Sequence, residues 1–266
     1  MTLTVGYETT LNRRTLQVTG LNASTDHVTV ERAVSPYVQW TEVRGWPNQP
    51  VSALSVAYFD YEFPEGVVYK YRVREYDAAG VQLAATDYAV SAVTFTEPWL
   101  KVPAAPFLNT AVVIADRGDM VNRSRGGLLD VLGRTDPVLI GDVRAGVAYT
   151  LQLLTQTPGE EANLEFTLST GGVVFLHLPA NEHTVAGGYF AVGDVTRNST
   201  LRRSPRRVWT LPLTRVVAPG PDVAGAAYTI ASNMAEYATI ADVMADNATI
   251  ADVLARTGSP ADVIVG

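Results

Sequence analysis

Between Phe63 and Arg74 the chain reads Phe-Pro-Glu-Gly-Val-Val-Tyr-Lys-Tyr-Arg-Val-Arg, and its second half alternates strictly. Tyr69, Tyr71 and Val73 fall on one side of an extended chain, and Lys70, Arg72 and Arg74 on the other. A helix would scatter the same residues around its axis, so the segment predicts a strand with one buried and one wet face. The turn residues Asp77-Ala78-Ala79-Gly80 follow it directly. Leu16 and Val18, Val28 and Val30, and Val93 and Phe95 repeat the alternation at short spacing. Residues 1–97 therefore predict an antiparallel β-sandwich.

Pro98, Pro103 and Pro106 stiffen the way out of this unit, which places a boundary within 97–108. Strands are predicted at 111–115, 137–140, 147–154, 173–178, 189–195 and 208–216. Thr157 followed by Pro158, Glu160 and Glu161 predicts a helix N-terminus, closed by Gly171-Gly172, with Leu164 and Leu168 facing the sheet. Residues 98–220 thus read as an antiparallel β-barrel or sandwich with one inserted helix. Pro212 assigns its strand to an edge or a bulge, because proline cannot donate to a ladder.

Residues 221–266 follow a different rule. Thr229-Ile230-Ala231-Ser232, Thr239-Ile240-Ala241-Asp242, Thr249-Ile250-Ala251-Asp252 and Ser259-Pro260-Ala261-Asp262 recur every ten residues. In the last three an acidic residue follows the hydroxyl by three positions, as in a capping box. Ten residues at roughly 100° each stop about 80° short of three turns, so one unbroken helix would wind its apolar stripe around the axis. The prediction is a tail of short, separately capped helices. Helices of that length are marginal alone, so Ile230, Ile240, Met244, Ile250 and Leu254 are the residues expected to dock on a partner.

The composition narrows the function classes. Charged residues are 18% of the 266, and the formal net charge of −7 gives no reason to expect sequence-specific nucleic-acid binding. With no cysteine, disulfides, thiol catalysis and zinc–cysteine sites are excluded. Met1 is followed by Thr-Leu-Thr-Val rather than a basic segment and an apolar core, so no signal peptide is expected. No apolar run suits a membrane span. The chain is expected to be made in a cytoplasm.

Individual motifs add candidate contacts but no catalytic constellation. Arg117-Gly118-Asp119 reads as a polar turn. Arg202, Arg203, Arg206 and Arg207 crowd a Pro-broken loop, an electrostatic contact for an anionic surface. No aromatic residue interleaves them for base stacking. His177, Glu182 and His183 fit no common metal spacing, and no G-x-S-x-G elbow is present. Glu160 and Glu161 sit in a first helical turn, where the helix dipole accounts for them. No catalytic residue, metal or cofactor is predicted, and the chain is expected not to be an enzyme. Trp40 and Trp46, in a loop-rich aromatic stretch, are possible glycan contacts; Tyr58 and Tyr61 are assigned to the core.

Two resemblances follow from these segments. The Pro-Gly corner, the tyrosine and the Asp/Gly hairpin of 63–80 resemble a fibronectin type III domain, which implies that Tyr69 is a tyrosine-corner residue with its hydroxyl bonded to upstream backbone. Residues 127–138, Gly-Leu-Leu-Asp-Val-Leu-Gly-Arg-Thr-Asp-Pro-Val, are similar to minor tail proteins of long-tailed phages that infect actinobacteria. So are 189–195, Tyr-Phe-Ala-Val-Gly-Asp-Val, and 207–216, Arg-Val-Trp-Thr-Leu-Pro-Leu-Thr-Arg-Val. The Thr-Ile-Ala-Asp-Val-Leu-Ala repeat resembles C-terminal repeats of the same group, although many of its members carry an aromatic after the Thr. The likeness spans about 108–266. It implies a virion structural protein at the tail tip or baseplate, present as a homo-oligomer and docked on other tail proteins. The alternative is a host-surface adhesin whose first module binds cell-wall glycan.

Overall fold

The computed structural model describes residues 1–45, 48–51, 54–130, 132, 135–141, 143–199 and 203–220. Among these the chain is mainly β, with antiparallel sheets and one α-helix. The decapeptide tail lies outside the described residues.

The first unit holds β1 (Thr2–Glu8), β2 (Arg13–Thr19), β3 (His27–Val34), β4 (Thr41–Glu42), β5 (Gln49–Pro50), β6 (Ser55–Asp60), β7 (Tyr69–Tyr76) and β8 (Gln82–Val90). They form one sheet in the order β1-β2-β6 and a second in the order β4-β3-β7-β8, with β5 also on β3. The alternation at 69–74 does what its chemistry requires. Tyr69, Tyr71 and Val73 are fully buried, while Arg72 and Arg74 reach Glu31 on the neighbouring strand at 2.7 and 3.1 Å. Leu16, Val18, Val28, Val30 and Phe63 complete this core. At the β7–β8 turn Asp77 Oδ1 accepts from the N–H groups of Ala79 and Val81, and Gly80 takes a φ of 78°. Val93 and Phe95 pack against the core from irregular chain rather than from a strand, so the alternation there reports burial alone.

The second unit comprises β9 (Trp99–Lys101), β10 (Thr110–Ala111), β11 (Val113–Arg117), β12 (Val121–Asn122), β13 (Gly126–Leu129), β14 (Val138–Gly141), β15 (Val147–Thr155), α1 (Pro158–Ser169), β16 (Val173–His177), β17 (Gly188–Val192), β18 (Thr196–Ser199) and β19 (Arg207–Arg215). Its main sheet runs β10-β9-β16-β17-β19-β15-β11. Only Val112 separates β10 from β11, so the two ends of that order are one bent stretch of chain and the sheet curls back on itself. Leu151, Leu153, Leu176, Phe190, Leu211 and Leu213 fill the interior. The helix closes over it with Leu164 buried and Leu168 packed against the cluster. Its start is as the sequence predicts: Thr157 Oγ1 accepts from Glu160 N at 3.2 Å.

One expectation resolves to its second alternative, a bulge opposite Pro212 where residues 193–195 face residues 211–212, and one needs correction. Pro212 lies in β19, between β15 and the β17/β18 stretch, not at an edge. Its carbonyl accepts from Gly193 N, so its nitrogen faces the same side, where the ladder from β17 has ended at Val192 and that from β18 begins at Thr196. The missing donor falls in the gap between two partner strands. The Tyr69 hydroxyl accepts from Arg14 Nε at 2.9 Å and lies 3.5 Å from the Tyr71 hydroxyl. Its partners are side chains, not upstream backbone, because Arg14 is buried beside it and itself needs acceptors.

Candidate functional site

The two β units meet across a buried polar seam, and Lys101 is its centre. Strand β9 runs Trp-Leu-Lys and is buried along its whole length. Pairing with β16 places Lys101 opposite Phe175 and aims its side chain toward the first unit. The ammonium meets three acceptors: Asn12 O at 2.7 Å, Tyr61 O at 2.6 Å and His177 Nδ1 at 2.9 Å. An ammonium has three protons, so the set is saturated. Asn12 belongs to the β1–β2 turn, Tyr61 directly follows β6 and His177 ends β16, so one side chain ties three parts of both units.

His177 completes the crossing. Its ring packs edge-on against Phe63 and Phe95 of the first unit, at 5.0 and 4.6 Å between centroids, and lies 5.2 Å from Phe175. Burial holds its titration well below the ordinary histidine range, and the neighbouring Lys101 charge adds to the effect. A neutral ring with Nδ1 unprotonated is what acceptance from Lys101 demands. Burial likewise lowers Lys101, to about 7, against the partly compensating charges of Asp60 and Glu62.

A second layer backs the first. Asp60 takes Arg32 Nη1 on both oxygens at 2.6 Å, the Tyr71 hydroxyl at 2.7 Å and Glu62 N at 2.8 Å. Burial alone would raise this carboxyl; the Arg32 guanidinium outweighs it, and the net direction is down. Tyr71 moves well above the usual phenol range, through burial first and the Asp60 charge second. Glu62 pairs with Arg44 at 2.9 Å, and Arg44 also donates to Pro219 O and Gly220 O. Burial, followed by the Glu62 charge and hydrogen bond, pushes Tyr189 up to about 12. The end of the described chain is thus pinned to the first unit beside the seam.

A lysine titrating near neutrality suggests a base or nucleophile. Here Lys101 is 1% exposed, and the recess beside it holds about 20 Å³. That is room for one water. The arrangement ties the two units together through Lys101.

The residues singled out from sequence lie elsewhere. Trp40 is half-buried, and the Arg72 guanidinium sits 4.1 Å over its ring, so one of its two stacking faces is occupied. Trp46 lies outside the described residues, as do Arg202, Ile230, Ile240, Met244, Ile250 and Leu254. Arg207 is drawn inward: Nη1 donates to Ser204 O at 2.6 Å and Nε approaches Glu161 at 3.5 Å. Arg203 and Arg206 are exposed and carry what remains of that basic patch. Arg117 ends β11, and Gly118 N donates to Thr150 O, so the Arg-Gly-Asp triplet is partly tied to the sheet. His177 meets Lys101, while Glu182 Oε1 accepts from Thr184 and Val185. Among the described residues no cluster of three or more His, Asp or Glu side chains is placed to hold a metal ion.

Sequence reasoning passed over Lys101, Asp60 and Arg32. The one available signal was a charged residue in the apolar run Trp99-Leu100-Lys101-Val102. No protein-family model matches this chain, and no curated protein matches it either.

Proposed function

We propose that this chain is a non-enzymatic structural protein of a phage virion, built into the tail tip or baseplate in several copies and docked on other tail proteins. The observation that carries the reading is the seam. Its ionisable groups are spent on each other and on backbone across the junction, which suits a part that transmits load between two units. The segments that resemble minor tail proteins all fall in the second unit: the β13–β14 region, β17 and the chain after it, and β19. The sheet orders β1-β2-β6 and β4-β3-β7-β8 support a fibronectin-type-III-like module at the N-terminus. The tail repeats supply the docking face through Ile230, Ile240 and Ile250.

Incorporation tests this reading. Particles made with the Ile240→Asp/Ile250→Asp protein should lack it in immunoblots of purified virions, while circular dichroism of the variant retains the β signal. Normal incorporation would reject the docking role. If the free protein instead sediments with host cell walls, and Trp40→Ala weakens that binding, the adhesin reading replaces the structural one.

A further inference from the structure

Strands β13 and β14 form a two-stranded sheet of their own, off the main sheet of the second unit. Leu128, Leu129 and Ile140 are 67%, 52% and 58% exposed, and neither strand contains a charged residue. The pairing sets Leu129 opposite Val138 and Gly127 opposite Ile140, so one face carries Leu129, Val138 and Ile140 and the other carries Leu128. A solitary hairpin is marginal in water, and apolar residues on both faces are the pattern of a strand covered on both sides. The outer edge of β13 pairs with no strand among the described residues. It also lacks the charge, proline or bulge that normally blunts such an edge.

We propose that this edge is a self-association site: β13 pairs antiparallel with β13 of a second copy, giving a four-stranded sheet across a two-fold axis. Charge selects this occupant. Arg125 precedes the strand at the base of the hairpin and Asp130 follows it at the tip, both exposed. Antiparallel pairing of two β13 edges brings the Arg125 of each copy within about one position of the twin's Asp130, on both sides of the axis. The β14 edge has the opposite character. Asp136 stands before that strand and Asp142 after it in the sequence, so twin β14 edges would set like charge against like. Gly126 fixes the shape of the arm, since a Cβ there would stand 2.4 Å from Ile140 O.

This deepens the structural reading by naming the contact between copies, and its test needs no virion. Sedimentation velocity of the full chain across a wide micromolar range should show a concentration-dependent dimer. Arg125→Asp and Asp130→Arg should each weaken self-association by about fivefold or more. The double swap Arg125→Asp/Asp130→Arg should restore it, because both halves of a self-complementary contact change together. Each variant is compared with the parent in urea unfolding, where exposed charges should leave the midpoint unchanged. A monomer at every concentration overturns the proposal. So does a double swap no better than the single ones, the behaviour of a foreign partner or of another surface. Absence of the parent protein from purified virions, with dimerisation intact, would instead count against the tail-tip reading alone.

Discussion

Lys101 makes the stability of this protein depend on pH in an unusual window. Its folded-state titration lies near 7, against 10.5 for an ordinary lysine. Between those values the unfolded chain holds a proton that the folded chain has released, so stability must rise as pH rises. At pH 7 the folded state forgoes about 4 kcal/mol relative to strongly alkaline solution, and at pH 9 about 2 kcal/mol. Raising pH from 7 to 9 should therefore stabilise the protein by about 2 kcal/mol, where many proteins already decline. No other described group with a displaced titration changes charge in that window: His177 lies below it, and the buried tyrosines lie above it. The assay is urea unfolding followed by tryptophan fluorescence at the two pH values, with Lys101→Met as the control. Methionine preserves the unbranched stem, removes the titration and leaves three acceptors without their donor. The variant should lose the alkaline gain. A parent curve that is flat or falls between pH 7 and 9, or a variant that keeps the rise, would refute the argument.

Other consequences follow from the same contacts. Below pH 6.5 the unfolded histidine gains a proton that buried His177 refuses, so stability should fall on acidification, and His177→Gln should flatten that slope in the same assay. Asp60→Asn leaves the Arg32 guanidinium buried without its counter-charge and should cost about 3–5 kcal/mol in chemical denaturation. Thr157→Ala removes the cap of α1 and should cost about 1 kcal/mol. Arg207→Ala should lower the unfolding midpoint through loss of its Ser204 and Glu161 contacts, whereas Arg206→Ala should leave it unchanged and act only on salt-sensitive binding to anionic surfaces.

Local chemistry was legible in the sequence wherever one stretch of chain decides the outcome. The alternation at Tyr69, Tyr71 and Val73 needs only the period of a strand, and the cap at Thr157 needs only its next three residues. Pro212 marked an irregularity, but the sequence left edge and bulge open, because the choice depends on the facing strand, which breaks between Val192 and Thr196. The Tyr69 hydroxyl was misassigned for a related reason: its partner, Arg14, comes from a strand 55 residues earlier. The seam was hidden more deeply. Residues 12, 61, 101 and 177 come together only once both units have folded, and no spacing records that. Among the surface candidates, Arg207 and Trp40 read from sequence as free contacts, but each is engaged by a neighbour: Glu161 for the first, Arg72 for the second. Arg203 and Arg206 keep the exposure that the loop composition suggested.

Gold-labelled antibody against this protein, viewed by electron microscopy on intact particles from the same genome, tests the place proposed for it in the virion. Label clustered at the tail tip is the predicted result. Unlabelled particles, with the protein recovered free in the lysate, would contradict it.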